Sequence, residues 1–115
     1  LQHWFMLQRS LQGKWLNAAL PQVVEMDMRS YQWAGFQISI QATLHSQPCV
    51  AFRFDGMHRF FYSADTGYSE ALIAFARAAD LGLLECSLPD AQKTEGHLTA
   101  SESGRFARNA GIKKI

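Results

Sequence analysis

From Phe36 to Leu44 every second residue is apolar, and this stretch constrains the fold more than any other in the chain. Phe36, Ile38, Ile40, Ala42 and Leu44 alternate with Gln37, Ser39, Gln41 and Thr43. A period of two puts all the apolar side chains on one face of a strand, and a helix cannot reproduce it. Val50, Phe52 and Phe54 continue the alternation, Asp55-Gly56 tolerates positive φ, and Arg59 to Ser63 returns as a partner strand. A hairpin with one buried face is the natural reading. Such a face needs a second layer to cover it.

Helical spacing marks the elements that would pack on the sheet. Trp4, Leu7, Leu11 and Trp15 recur at intervals of three and four over residues 3 to 16, although Gly13 weakens that helix. Pro21 closes the segment, and Val23, Val24, Met26 and Met28 fit an edge strand within the mixed stretch that follows. Ser69 is placed to cap a helix whose inner face is Leu72, Phe75, Ala76 and Ala79. After Asp80, the unbroken apolar run from Leu81 toward Cys86 suits a strand covered on both sides. Thr99 and Glu102 have the spacing of a capping box, Phe106, Ala107 and Ala110 follow, and Gly111 stands as a C-terminal cap. The expected class is α+β, with helices packed on one face of a mostly antiparallel sheet.

At 115 residues the chain is one domain's worth, and a domain of that size buries roughly two thirds of its unfolded surface. Hydrophobic residues at 48% and charged residues at 18% exclude a disordered, charge-rich chain, and no apolar run is long enough to span a bilayer. The net charge of +1 comes from interspersed signs, with one basic cluster at Arg105, Arg108, Lys113 and Lys114, so strong nonspecific binding to nucleic acid is not forecast. Cys49 and Cys86 form no CxxC pair and read as buried thiols in a reducing, cytoplasmic compartment. The chain opens at Leu1 and ends at Ile115 where Gly-Ile-Lys-Lys-Ile begins to look like a strand, so further sequence is expected beyond both ends.

Four polar residues stand at element ends, where sites are usually built: His45, Asp65, Glu85 and His97. Each has an ordinary explanation. A lone His at a strand end is more often a turn residue than a ligand, Asp65 suits a turn, Glu85 suits an ion pair with an Arg, and His97 suits loop ordering before the Thr99 cap. His3 and His58 read as surface or core residues.

Their order and context point further. Leu44-His45-Ser46-Gln47-Pro48-Cys49-Val50-Ala51-Phe52-Arg53 resembles the segment of the metallo-β-lactamase superfamily in which a His ligand leads into a strand ending in an aromatic-Arg pair. Ser63-Ala64-Asp65-Thr66 is similar to that family's Ser-Gly-Asp-Thr loop, with Ala64 in place of Gly, and Leu81 to Glu85 resembles its buried strand ending in Glu. Gly96-His97-Leu98-Thr99 resembles its His-x-Thr motif opening a helix, and Asn109 to Ile115 the approach to its last strand. The likeness is greatest to the short-form, ribonuclease Z-like branch. It covers residues 35–115, the motif-bearing part, while 1–34 match loosely as a lead-in helix and strand. Residues 1–115 would then be a single, partial domain, half of the four-layer αββα sandwich. The family's upstream His-x-His-x-Asp-His motif and a final His are not in the sequence.

What the resemblance implies is a hydrolase with a dinuclear site. Zinc takes imidazole nitrogen and carboxylate oxygen, and manganese or iron is an acceptable substitute. His45 would be a ligand, and Asp65 a ligand bridging two ions. His97 would donate a proton or hold a developing oxyanion, with Glu85, Thr66 and Thr99 supporting from the second layer. With only His45 and Asp65 as ligands, the chain alone should bind metal weakly. The substrate expected is a small phosphodiester, ester or thioester. A ribonuclease Z-type RNA endonuclease is the alternative, but in ribonuclease Z proper a long arm separates the His from the bridging Asp, and here they are only 20 residues apart. A second alternative is a noncatalytic half-domain or interaction module completed by a partner chain. One half of a sandwich exposes an apolar face, so a homodimer or pairing with the other half is expected, and no membrane.

Overall fold

The hairpin expected around Asp55-Gly56 forms, and it lies at the centre of a five-stranded sheet. The structure, a computed structural model, describes Met26 and residues 30–115. The helix expected over 3–16 and most of the edge strand expected over 23–28 lie outside the described residues. The strands are β1 (Tyr31–Trp33), β2 (Phe36–Ala42), β3 (Val50–Asp55), β4 (Arg59–Tyr62) and β5 (Leu81–Leu83), in the order β1-β2-β3-β4-β5. The first three pairings are antiparallel and β4 pairs with β5 in parallel. Strand β1 was not foreseen. Its turn uses Ala34 and Gly35, both at positive φ, which two-residue hairpin loops require.

Register sorts the side chains cleanly. Ile38 pairs with Phe54 and Ile40 with Phe52. Phe54 then pairs with Phe60, and Phe52 with Tyr62. One face is therefore apolar across β2, β3 and β4. Arg53 pairs with Phe61 on the other face, where the helices pack.

Helix α1 spans Glu70–Phe75, with Ser69 accepting the Leu72 N–H as its cap. It is shorter than the Leu72-to-Ala79 periodicity implied. Arg53 ends it by donating to the carbonyls of Phe75 (2.8 Å) and Arg77 (2.9 Å), and Ala78 at φ 56 turns the chain away. Helix α2 spans Ala100–Ala110 between the expected capping box of Thr99 and Glu102 and the left-handed Gly111. Its Phe106 stacks on Phe61 at 5.8 Å between ring centroids, and both are fully buried with Ala51, Leu72, Ala76 and Ala79. Losing either ring would cost roughly 3–5 kcal/mol.

Three expectations need correction. Strand β5 is only three residues long and is covered on one side alone: Gly82 is buried against Ile112, while Leu81 and Leu83 are exposed. Residues 112–115 form no strand, though Lys114 accepts from Gly82 N–H and Lys113 donates to Ala79 carbonyl. The cysteines are free but not buried, Cys86 being exposed.

Candidate metal centre

Three loops leave the same end of the sheet, and one glycine lets them meet. Gly67 donates its N–H to the Leu44 carbonyl at 2.7 Å, joining the loop after β4 to the loop after β2. A Cβ on Gly67 would run into the Glu95 carbonyl, so only glycine permits the 94–97 loop to lie so close. Thr66, fully buried, adds a second stitch. Its Oγ1 accepts the Leu44 N–H and donates to the Gly67 carbonyl.

One ligand atom each from Asp65, Glu85 and His97 lies within 4.8 Å of the others. His45 adjoins them, its ring edge-on to that of His97 with 5.0 Å between centroids. His45 also opens onto a cavity of about 230 Å³ lined with Leu44, Ser46, Glu95 and Gly96. All four residues named from the sequence therefore come together, from three separate segments. His58 lies apart on the exposed turn between β3 and β4.

The carboxylates differ in what holds them. Glu85 is engaged through both oxygens: Oε1 accepts from Thr66 N–H and faces His97 Nδ1, each at 2.9 Å, and Oε2 accepts from Ser87 N–H at 3.0 Å. Burial pushes the Glu85 carboxyl up, but the donors from Ser87, Thr66 and His97 outweigh it and hold the group below the usual Glu range. Asp65 is exposed, and among the described residues no hydrogen bond or ion pair engages its carboxylate. Glu85 is thus built to orient a neighbour, and Asp65 is free to take a ligand.

The two histidines are held differently. Glu85 favours the His97 tautomer with a proton on Nδ1, which leaves the Nε2 lone pair available. His45 Nδ1 lies 3.3 Å from both the Gln47 carbonyl and the Gln47 N–H, so it can donate to the one, leaving the Nε2 lone pair open, or accept from the other. The uncommitted Asp65 carboxylate and the His45 imidazole are donors of the kind that suit zinc or a similar divalent ion, with the His97 imidazole beside them. Thr99, 2% exposed, is occupied by the cap of α2, accepting the Glu102 N–H, so it anchors the segment that carries His97.

Gly67 and Ser103 were not singled out from the sequence, and Ser63 entered only as the first residue of its motif, without a role. Ser103 Oγ donates to the Glu85 carbonyl at 2.7 Å and ties α2 to the site. Their signal was faint, since small polar residues and glycines near loops are common.

Residues 1–115 match the family model for the beta-lactamase superfamily domain. The chain is 38% identical over 83 residues to the probable metallo-hydrolase YhfI of Bacillus subtilis, covering 70% of this chain and 34% of that protein. It is 37% identical over 60 residues to a ribonuclease Z of Kineococcus radiotolerans, covering 49% of this chain and 19% of the relative. The crystal structure of the metallo-β-lactamase fold protein YhfI from Bacillus subtilis superposes with a TM-score of 0.72 at 31% identity, over 79% of this chain and 39% of the other. Human tRNase Z, short form, superposes with a TM-score of 0.63 over 72% of this chain and 36% of its own, a likeness of fold alone at 22% identity. The chain thus spans about a third of YhfI and about a fifth of the ribonuclease Z.

Proposed function

The chain belongs to the β-lactamase superfamily, and from that premise we propose that it is the part of a metal-dependent hydrolase that carries His45, Asp65 and the Glu85–His97 pair. The observation that carries the reading is the convergence of Asp65, Glu85 and His97 donor atoms within 4.8 Å, with His45 beside them. Asp65 and His45 would hold metal, Asp65 between two ions when the site is complete, and zinc is the ion the donors fit best. Bound divalent cations supply Lewis acidity, acidifying water and offsetting charge on the attacked group.

The chain's own residues then have distinct tasks. His97 stands at the rim with Nδ1 pinned by Glu85, so its Nε2 is the atom that would take up a proton and then pass it to a leaving oxygen. Glu85 stabilises the ring when it is charged and prevents it from turning. Thr66 and Gly67 keep the three loops in register. Other ligands would come from the rest of the full-length protein, and the apolar sheet face would meet its other half.

A small phosphodiester, ester or thioester is the substrate class we favour. Ribonuclease Z relatives favour an RNA substrate, but β3, the Gly56–His58 turn and β4 fill the interval between His45 and Asp65, and no arm for gripping RNA projects there.

Metal analysis of the full-length protein, alongside hydrolysis of a chromogenic phosphodiester, tests the reading. Asp65→Ala is expected to empty at least one metal site. His97→Ala is expected to lower turnover by about 10²–10⁴-fold with metal content retained. Unchanged stoichiometry in Asp65→Ala would refute its assignment, and metal lost with His97 would make that residue a ligand.

A further inference from the structure

Building on the metal-centre reading above, we infer that Ser63 is a positioning residue whose single hydroxyl couples Asp65 to Glu85 and thereby sets the affinity of the centre for its cation. Ser63 is completely buried at the end of β4. Its Oγ donates to the Ala64 carbonyl at 2.8 Å and accepts the Glu85 N–H at 2.9 Å. The Ala64 carbonyl belongs to the peptide that leads into Asp65, and the Glu85 N–H to the peptide that leads into Glu85. One hydroxyl therefore fixes both peptide planes, and a hydroxyl has the donor and the lone pairs to do so at once.

Two further observations make the coupling necessary. Ala64 holds a left-handed backbone at φ 51, which a residue with a Cβ leaves readily unless neighbours enforce it. The Ser63 N–H donates to the Leu83 carbonyl at 3.0 Å, so its own backbone is locked to β5 and the hydroxyl acts from a fixed point. Without that hydroxyl, both the Ala64 carbonyl and the Glu85 N–H lose a partner at a part-buried position, and the loop bearing Asp65 is free to relax.

The test is zinc affinity in the full-length protein, measured by chelator competition, with the visible spectrum of the cobalt(II)-substituted protein as a report on ligand geometry. Ser63→Ala is expected to weaken zinc binding by about tenfold or more and to shift the cobalt bands. Ser63→Thr keeps the hydroxyl and should stay within about threefold of the wild type, whereas its isostere Ser63→Val should behave as the alanine variant does. Should the alanine variant fail to fold, Ser63→Cys, similar in size but a weak hydrogen-bonding group, makes the same comparison. Wild-type affinity and an unchanged spectrum in the variants lacking the hydroxyl, even with lower thermal stability, would overturn the inference. Asp65→Ala separates the two readings: if it also binds zinc as the wild type does, the metal-centre assignment itself fails, whereas a loss there without any loss in the Ser63 variants removes only the role of Ser63.

Discussion

Asp80 shows how one side chain can tie three segments at the edge of the core. Its carboxylate accepts from Lys113 Nζ at 2.6 Å and from the Arg59 N–H at 2.8 Å. The Lys113 hydrogen bond and then the Arg59 N–H, helped by both positive charges, overcome desolvation and lower the Asp80 pKa to about 2 from an ordinary 3.8. The native value lies below the unfolded one, so this tie is fully present above the unfolded value and is lost as pH falls from there through about 2. Lys113→Met is expected to return Asp80 toward 3.8, and NMR titration of its carboxyl would show it. An Asp80 still near 2 in that variant would mean that the Arg59 N–H suffices. At the same scale, His45, Asp65, Glu85 and His97 were legible because each stands in a short motif of recognisable order. Ser63 stands in one of those motifs too, but its role was not legible, because nothing in the letters distinguishes a buried, doubly bonded hydroxyl from a surface one.

Among the elements, α2 followed its local code most closely. The Thr99 side chain accepts from Glu102 and the Glu102 carboxylate returns to the Thr99 N–H, satisfying two donors that the helix leaves open. Thr99→Ala should therefore cost about 1 kcal/mol and Thr99→Ser only a few tenths, measured by urea unfolding of the full-length protein. Equal losses in both would mean that packing of the Thr99 methyl dominates. Helix α1 departs from its pattern because its end is set from outside: Arg53 on β3 claims the Phe75 and Arg77 carbonyls, and Ala78 donates to the Ala110 carbonyl at the end of α2. Strand β5 departs for a related reason. Its composition says only that it is apolar, and Gly82 against Ile112 decides which side is covered.

For the whole molecule, the sheet has two demanding faces. Helices α1 and α2 cover the side of Ala51 and Phe61, while Ile38, Ile40, Phe52, Phe54 and Phe60 gather on the other, bordered by Trp33, Leu81 and Leu83, all three exposed. We expect that second face to pack against another sheet in the full-length protein. Leu83, 57% exposed in this chain, is a probe: Leu83→Lys should cost the full-length protein about 2 kcal/mol and the 115-residue chain almost nothing, by chemical denaturation of both. Equal effects would place another element over the face. Alternation from Phe36 to Phe54, the Asp55-Gly56 turn and the α2 caps were determined by sequence alone, because strand period, positive φ and capping depend on neighbours a few residues away. Which face the helices would take, where α1 and β5 would stop, and whether Asp65, Glu85 and His97 would meet were decided only by tertiary structure. Those outcomes rest on contacts between distant segments, such as Gly67 against Glu95 and Ser63 with Glu85, whose closeness no local pattern encodes.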